Sequence, residues 1–254
     1  MNADRLEAAF WAAFLRNRNV EATTAGDGAV AVAGGYALCV MGTYHQVALA
    51  VGSTRALRED DLAVLEAFYG RRDRPVRLEV REDVLERDRE LFQAAGYDVA
   101  DAGLALLETT NVPDEPRSQI TVRSTGDRAA WVRLVTRAFG EGHPPGDEHR
   151  RSAEISAAAA SRLFVADIDG VAAGAGAVGI SADVAYLYSA AVLPQFRRRG
   201  VHRALLHARV AFGAAQGAAR SASKTVEGTD AEHSALNAGF TRTATLRRLA
   251  KLSP

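Results

Sequence analysis

The sequence predicts an α/β protein on a mixed sheet, arranged as two tandem domains of one plan. Three observations carry that expectation. Along the C-terminal part, segments with apolar residues at helical spacing alternate with short apolar runs of strand length. Near the middle of the 254 residues lies a polar segment with two prolines, Thr109–Gln119; it suits a linker, since each proline removes a backbone donor. The order helix, strand, helix, Ala-Gly-aromatic, strand then occurs twice, reaching its aromatic residue at Ala94–Tyr97 and again at Asn237–Phe240. The domains are expected at 1–113 and 118–254.

The C-terminal elements follow in order. Ser118–Ser124 reads as a strand. In the next segment Trp131, Leu134, Val135, Ala138 and Phe139 recur at helical spacing. The glycines and prolines of 140–149 break that helix, and an alanine-rich helix follows around Arg151–Ala160. Arg162–Ile168 and Val171–Ile180 are strands around Asp169-Gly170, a pair suited to a type I′ hairpin turn. Val184–Leu193 is the next strand. Val201, Ala204, Leu205, Ala208, Ala211 and Phe212 mark a helix that Gly217 can terminate. A strand near Arg220–Val226 precedes a short helix opened by a Thr229/Glu232 capping box. Thr241–Lys251 is the last strand. In the N-terminal half, helices at Glu59–Gly70 and Val84–Tyr97 alternate with strands at Val76–Val80 and Gly103–Glu108.

Charge narrows the partners. Basic and acidic residues number 31 each, so there is no surplus to attract nucleic acid or a membrane. Only Lys224 and Lys251 are lysines; every other basic residue is arginine. Cys39 is the sole cysteine, so neither an internal disulfide nor a cysteine-rich metal site is expected. The first residues lack the apolar core of a secretion signal, and no uninterrupted apolar run of about 18 residues occurs. A cytoplasmic protein is expected.

One stretch concentrates charge. Val192–Leu206 runs from a strand through Leu193, Pro194 and three consecutive arginines, Arg197, Arg198 and Arg199, to Gly200 and a helix beginning at Val201. A helix N-terminus exposes unpaired N–H groups and partial positive charge, which makes it an anion site. Gly200 lets backbone approach a ligand closely, and flanking arginines add charge-assisted bonds. The triple arginine therefore points to a small anionic ligand.

Strand, Arg-Arg-Arg-Gly-Val-His, helix, strand, short helix and Ala-Gly-Phe together resemble the Gcn5-related N-acetyltransferase (GNAT) superfamily, over Gln119 to about Lys251. The family signature is R/Q-x-x-G-x-G/A at a helix start. His202 stands where Gly or Ala is usual and is expected to point sideways on the helix surface. The N-terminal half is similar in element order alone, which makes it a degenerate GNAT-like domain. The resemblance implies that this turn holds the pyrophosphate of acetyl-CoA, with Arg197, Arg198, Arg199, Gly200, Val201 and His202 around it. By position Val192 and Leu193 match the strand whose backbone N–H polarises the thioester carbonyl.

Family members often protonate the departing thiolate with a tyrosine four residues before the glycine of Gly-Phe; here that place is Ala235. His233 and Tyr188 are the replacement candidates, with Ser234 and Tyr186 nearby. The loop between the first two helices contacts the acceptor in the family, and here it offers Glu141, Asp147, Glu148, His143 and His149. The expected activity is transfer of acetyl from acetyl-CoA to the amine of a small molecule by direct attack, without metal. A non-catalytic acyl-CoA-binding or regulatory protein and a protein N-acetyltransferase are the alternatives. The turn expected to hold the cofactor has a counterpart in the first half. Gly200 lies 39 residues before Gly239, and the same distance before Gly96 is Leu57. Leu57 supplies no glycine, and Glu59, Asp60 and Asp61 follow it, so one acetyl-CoA per chain is expected.

Overall fold

A computed structural model describes residues 3–17, 26–100, 102–115, 119–140 and 146–251. Along the chain its elements are α1 (Ala3–Asn17), β1 (Gly28–Val32), β2 (Gly35–Cys39), β3 (Gln46–Leu49), α2 (Glu59–Gly70), β4 (Arg77–Arg81), α3 (Glu82–Arg87), α4 (Arg89–Ala94), β5 (Tyr97–Val99) and β6 (Leu104–Thr109). They continue with β7 (Ile120–Thr125), α5 (Arg128–Phe139), α6 (Asp147–Ala159), β8 (Arg162–Ile168), β9 (Val171–Ser181), β10 (Val184–Val192), a single 3₁₀ turn (Pro194–Phe196), α7 (Val201–Ala215), β11 (Arg220–Val226), α8 (Asp230–Leu236) and β12 (Thr241–Lys251). Two compact units result: Met1–Leu106 with Thr243–Pro254, and Leu107–Arg242. The sequence-drawn domains are both contiguous; of these units the second is contiguous and the first is not, because the boundaries fall inside β6 and β12.

In the first unit the strands run β1-β2-β3-β4-β12, with β5 also against β12. β1, β2 and β3 form an antiparallel meander, β3 and β4 are parallel across the α2 crossover, and β12 is antiparallel to β4 and β5. Leu62, Leu65, Phe68 and Tyr69 form the buried face of α2. They pack with Leu78, Val80, Phe92, Tyr97 and Leu249 in one core, and the Tyr69 hydroxyl donates to Leu38 O at 3.0 Å. The helix expected at Val84–Tyr97 is broken at Asp88 into α3 and α4. The Asp88 side chain explains the break, since it accepts from Arg87 and from the distant Leu57 N–H at 3.1 Å.

In the second unit the order is β11-β10-β9-β8-β7. β7 to β10 are antiparallel neighbours, and β10 and β11 are parallel around α7. Glu108, at the end of β6, pairs with Arg220 of β11 at 2.8 Å. Alternation separates two faces. Leu163, Val165, Ala175 and Ala177 pack with Trp131, Val135, Ala153 and Ala157 of α5 and α6. On the other face Phe164 meets Phe212 of α7 edge to face. Asp169 and Gly170 both take positive φ (51° and 77°), as a type I′ turn requires. The Thr229 side chain caps α8 through the Glu232 N–H, but the Glu232 carboxylate reaches Gly228 N–H rather than Thr229 N–H. The sequence-predicted capping box is therefore only half formed.

Candidate functional site

The strand before the charged turn is irregular in two ways. Its pairing with β11 stops at Leu187↔Ser223, yet β10 continues to Val192 and β11 to Val226. Its pairing with β9 slips between Tyr188 and Ala191, leaving Ser189 and Ala190 as a bulge opposite Gly176. Ser189 takes φ +49° there. Beyond the bulge, Leu193 N–H donates to Ala173 O at 2.9 Å. Successive N–H groups of a strand point to opposite sides, so Val192 N–H faces the gap left where β11 has parted. Of the two backbone donors expected from sequence, Val192 N–H is free to face a ligand and Leu193 N–H is already used. The Leu193 side chain is buried with Ala138 and Ala191.

The turn then prepares the helix. Arg198 (φ +58°) and Gly200 (φ +87°) are both left-handed, and for Gly200 that conformation is the reason for glycine, because an added Cβ would meet only Ile120 at 3.6 Å. No side chain caps α7 and no acidic residue lies in its first turn. The first intrahelical bond is Ala204 N–H to Gly200 O at 3.0 Å. The N–H groups of Val201, His202 and Arg203 thus find no acceptor among the described residues. Arg197, Arg198, Arg199 and Gly200 are exposed around them; Arg197 Nε lies 3.4 Å from Val192 O, and Arg199 stacks near Phe196. Val201 is buried and packs over Gly174, where a Cβ would come within 2.9 Å of it.

His202 does not sit on the helix surface. It is half-buried, with Nδ1 3.0 Å from Ser234 Oγ of α8. Burial, and then the positive charge of Arg209, push its pKa down to about 4. His202 is therefore neutral near pH 7 and contributes α7–α8 packing rather than charge. The correction has a simple cause: position 202 faces α8, so its ring packs between the helices while its backbone N–H lies at the start of α7.

The proton-donor candidates lie apart. His233 is exposed on α8, while Ala235, where the family tyrosine would stand, is buried at 1% exposure. The Tyr188 phenol donates to Ser156 O of α6 at 3.3 Å, and burial raises its pKa. Tyr186 is buried on the same strand. In the loop before α6, Glu141 and His143 lie outside the described residues. Asp147 and Glu148 are exposed at the start of α6, where Asp147 pairs with Arg150 at 3.2 Å, and His149 is half-buried. Among the described residues no cluster suits a metal, and no helix is long and apolar enough to cross a membrane.

Sequence reasoning missed what lies behind the bulge. Arg209 of α7 is 1% exposed. Its Nε donates to Leu205 O at 2.9 Å, and Nη1 donates to Ala177 O and Tyr188 O at 3.4 Å each. From the opposite face, Trp131 Nε1 donates to Phe164 O at 3.2 Å and Gly176 O at 3.3 Å. The missed signal was an arginine within the apolar period of α7, facing alternate glycines on the neighbouring strand.

Residues 128–240, less than half of the chain, match the acetyltransferase (GNAT) family. Solved structures agree on the fold. A GCN5-related N-acetyltransferase from Kribbella flavida superposes with a TM-score of 0.67 at 15% identity, over 100% of this chain and 97% of that one. A tandem GNAT protein from the clavulanic acid biosynthesis pathway gives 0.59 at 14% identity, over 98% and 95%. A GCN5-related N-acetyltransferase from Sphaerobacter thermophilus gives 0.57 at 19% identity, over 76% and 69%. No curated protein matches the sequence.

Proposed function

We propose that the chain is an acetyl-CoA-dependent N-acetyltransferase acting on the amine of a small molecule, with its one cofactor site in the second unit. The observation that carries this reading is the start of α7: three backbone N–H groups without acceptors among the described residues, a left-handed glycine, no acidic residue in the first turn, and arginines beside it. That arrangement suits a pyrophosphate. Acetyl-CoA supplies the activated acyl group. The N–H groups of Val201, His202 and Arg203, with Arg198 and Arg199, bind its phosphates. Val192 N–H faces the gap between β10 and β11 and donates to the carbonyl oxygen on which negative charge develops. The neutral amine attacks that carbonyl carbon, the C–N bond forms, the C–S bond breaks, the thiolate leaves and the amine loses a proton.

No protein acid stands at Ala235, and the Tyr188 phenol is bonded to Ser156 O. We assign protonation of the thiolate to solvent or to exposed His233. That same pair of observations supports the alternative, a non-catalytic acyl-CoA-binding protein. The first unit, with the repeated element order and no such turn, is read as a degenerate GNAT-like domain. Free thiol release from acetyl-CoA with a panel of small amines and lysine peptides tests the reading, beside calorimetric titration with acetyl-CoA. Thiol release with a small amine supports it, release with peptides alone makes the acceptor a protein, and tight binding without release makes the chain non-catalytic.

A further inference from the structure

We propose that Arg209 is a positioning residue for the acyl group: its buried guanidinium, hydrogen-bonded to Ala177 O and Tyr188 O, fixes the β10 bulge and with it the direction of Val192 N–H. The inference rests on the acetyl-transfer reading for its catalytic consequence, and on geometry alone for its structural part.

A bulge leaves ladder carbonyls without strand partners, and an unsatisfied buried carbonyl is costly. Here the slip between Tyr188 and Ala191 is covered from both faces of the sheet. Trp131 of α5, fully buried, donates to Gly176 O, the residue opposite the bulge. Arg209 of α7 takes the carbonyls of the pair just before the slip, Tyr188 and Ala177. Gly176 makes room for it, since a Cβ there would lie 3.1 Å from the guanidinium carbon and Nε. A planar guanidinium reaches several acceptors from one rigid fork, which an ammonium does not.

Arginine is an expensive way to satisfy carbonyls. Its charge is taken out of water, and among the described residues it has no carboxylate partner. Burial alone lowers its pKa to about 10, which still leaves it charged near neutrality. Packing by itself favours a hydrophobic residue at such a position. The charge sits behind the strand whose next residues, Ser189 (φ +49°) to Val192, lead to the gap beside β11. A strained bulge persists only when its surroundings hold it; Arg209 and Trp131 are the groups that hold this one.

The test compares the full chain with Arg209→Met, which keeps the length and loses the donors, and Arg209→Lys, which keeps the charge and loses the fork. Amide hydrogen exchange is read over Ser189–Val192, acetyl-CoA affinity by calorimetry, and kcat by thiol release. In Arg209→Met, exchange over Ser189–Val192 is expected to rise about 10-fold or more while the rest of α7 and the sheet stays protected. Acetyl-CoA affinity stays within about 3-fold and kcat falls about 100-fold, the loss expected when a reacting group is misplaced. Arg209→Lys recovers part of both. Wild-type protection of Ser189–Val192 in Arg209→Met overturns the proposal, and so does wild-type kcat. Should Arg209→Met fail to fold, the same exchange and kcat readings on Arg209→Lys decide. If the native chain releases no thiol with any amine, the acetyl-transfer reading falls, and the exchange measurement still decides whether Arg209 fixes the bulge.

Discussion

The starts of α7 and α2 hold corresponding places in the repeated element order, yet they treat their unpaired N–H groups in opposite ways. At α2 the protein supplies its own anions. Glu59, Asp60 and Asp61 fill the first turn. Arg58 N–H donates to Asp61 at 2.9 Å, Leu57 N–H donates to Asp88 at 3.1 Å, and Arg55 forks onto Asp61 at 2.6 and 2.7 Å. At α7 no acidic residue enters the first turn, and the N–H groups face outward among arginines. One helix start carries carboxylates of its own and the other carries none. The same secondary structure is thus a finished element in one unit and a candidate site in the other, and three or four residues of the turn make the difference.

The comparison breaks most sharply at Gly200. A β-branched side chain at φ +87° costs about 1–2 kcal/mol and stands between the backbone and an anion, so Gly200→Val is expected to lower acetyl-CoA affinity about 100-fold. Unchanged calorimetric affinity in a folded variant would remove the site from α7. Arg198→Glu comes next. It deletes one charge-assisted contact and adds repulsion, for a loss of about 10- to 100-fold. Part of that loss should fade at high salt, because Arg198 is exposed.

Much of this contrast was legible in the sequence. Arg197–Gly200 announced the α7 turn, and Glu59, Asp60 and Asp61 announced a helix start with an acidic first turn. The Ala-Gly-aromatic echo also has a backbone meaning, since Gly96 and Gly239 both take positive φ (78° and 88°) after their helices. What was not legible depends on distant partners. α1, β1, β2 and β3 went unassigned, because runs such as Gly28–Cys39, rich in alanine and glycine, carry weak periodicity. The break at Asp88 is set by Leu57, which is remote in sequence. The bulge at Ser189 is set by Arg209 and Trp131, and no local pattern encodes it.

His202 gives a smaller effect with a defined sign. Its pKa in the folded chain, about 4, lies below the ordinary 6.5, so between those values the unfolded chain binds more protons. Stability tied to His202 is present above pH 6.5 and is lost as pH falls toward 4. Allowing for its partial exposure, the loss is about 2 kcal/mol. Thermal unfolding followed from pH 7 to pH 4 should show a steeper decline for the native chain than for His202→Gln. Parallel declines would mean that the imidazole is as accessible to protons folded as unfolded. Acetyl-CoA affinity should hold within a few-fold in this variant, because the proposed site uses the backbone N–H of residue 202 and not its ring.

The smallest effect sharpens the comparison from the other side. Asp61 closes α2, and its carboxyl is held below the usual carboxylate range by the Arg55 hydrogen bond first, and by the Arg58 backbone among lesser causes. The stability it adds is therefore full above the ordinary pKa near 3.8 and disappears as pH drops through its lowered folded value. Asp61→Ala removes that cap and should cost about 0.5–2 kcal/mol at pH 7, read as a lower midpoint in denaturant. It also exposes the start of α2. Because Leu57 still occupies the turn where Gly200 stands in the second unit, and Glu59 and Asp60 remain, titration of Asp61→Ala with acetyl-CoA should still give one site per chain. A second site in this variant would show that carboxylates alone had closed the N-terminal turn and that the glycine was not required. A stoichiometry of one, with the stability loss present, would place the difference between the two helix starts in the backbone of the turn as well as in its charge.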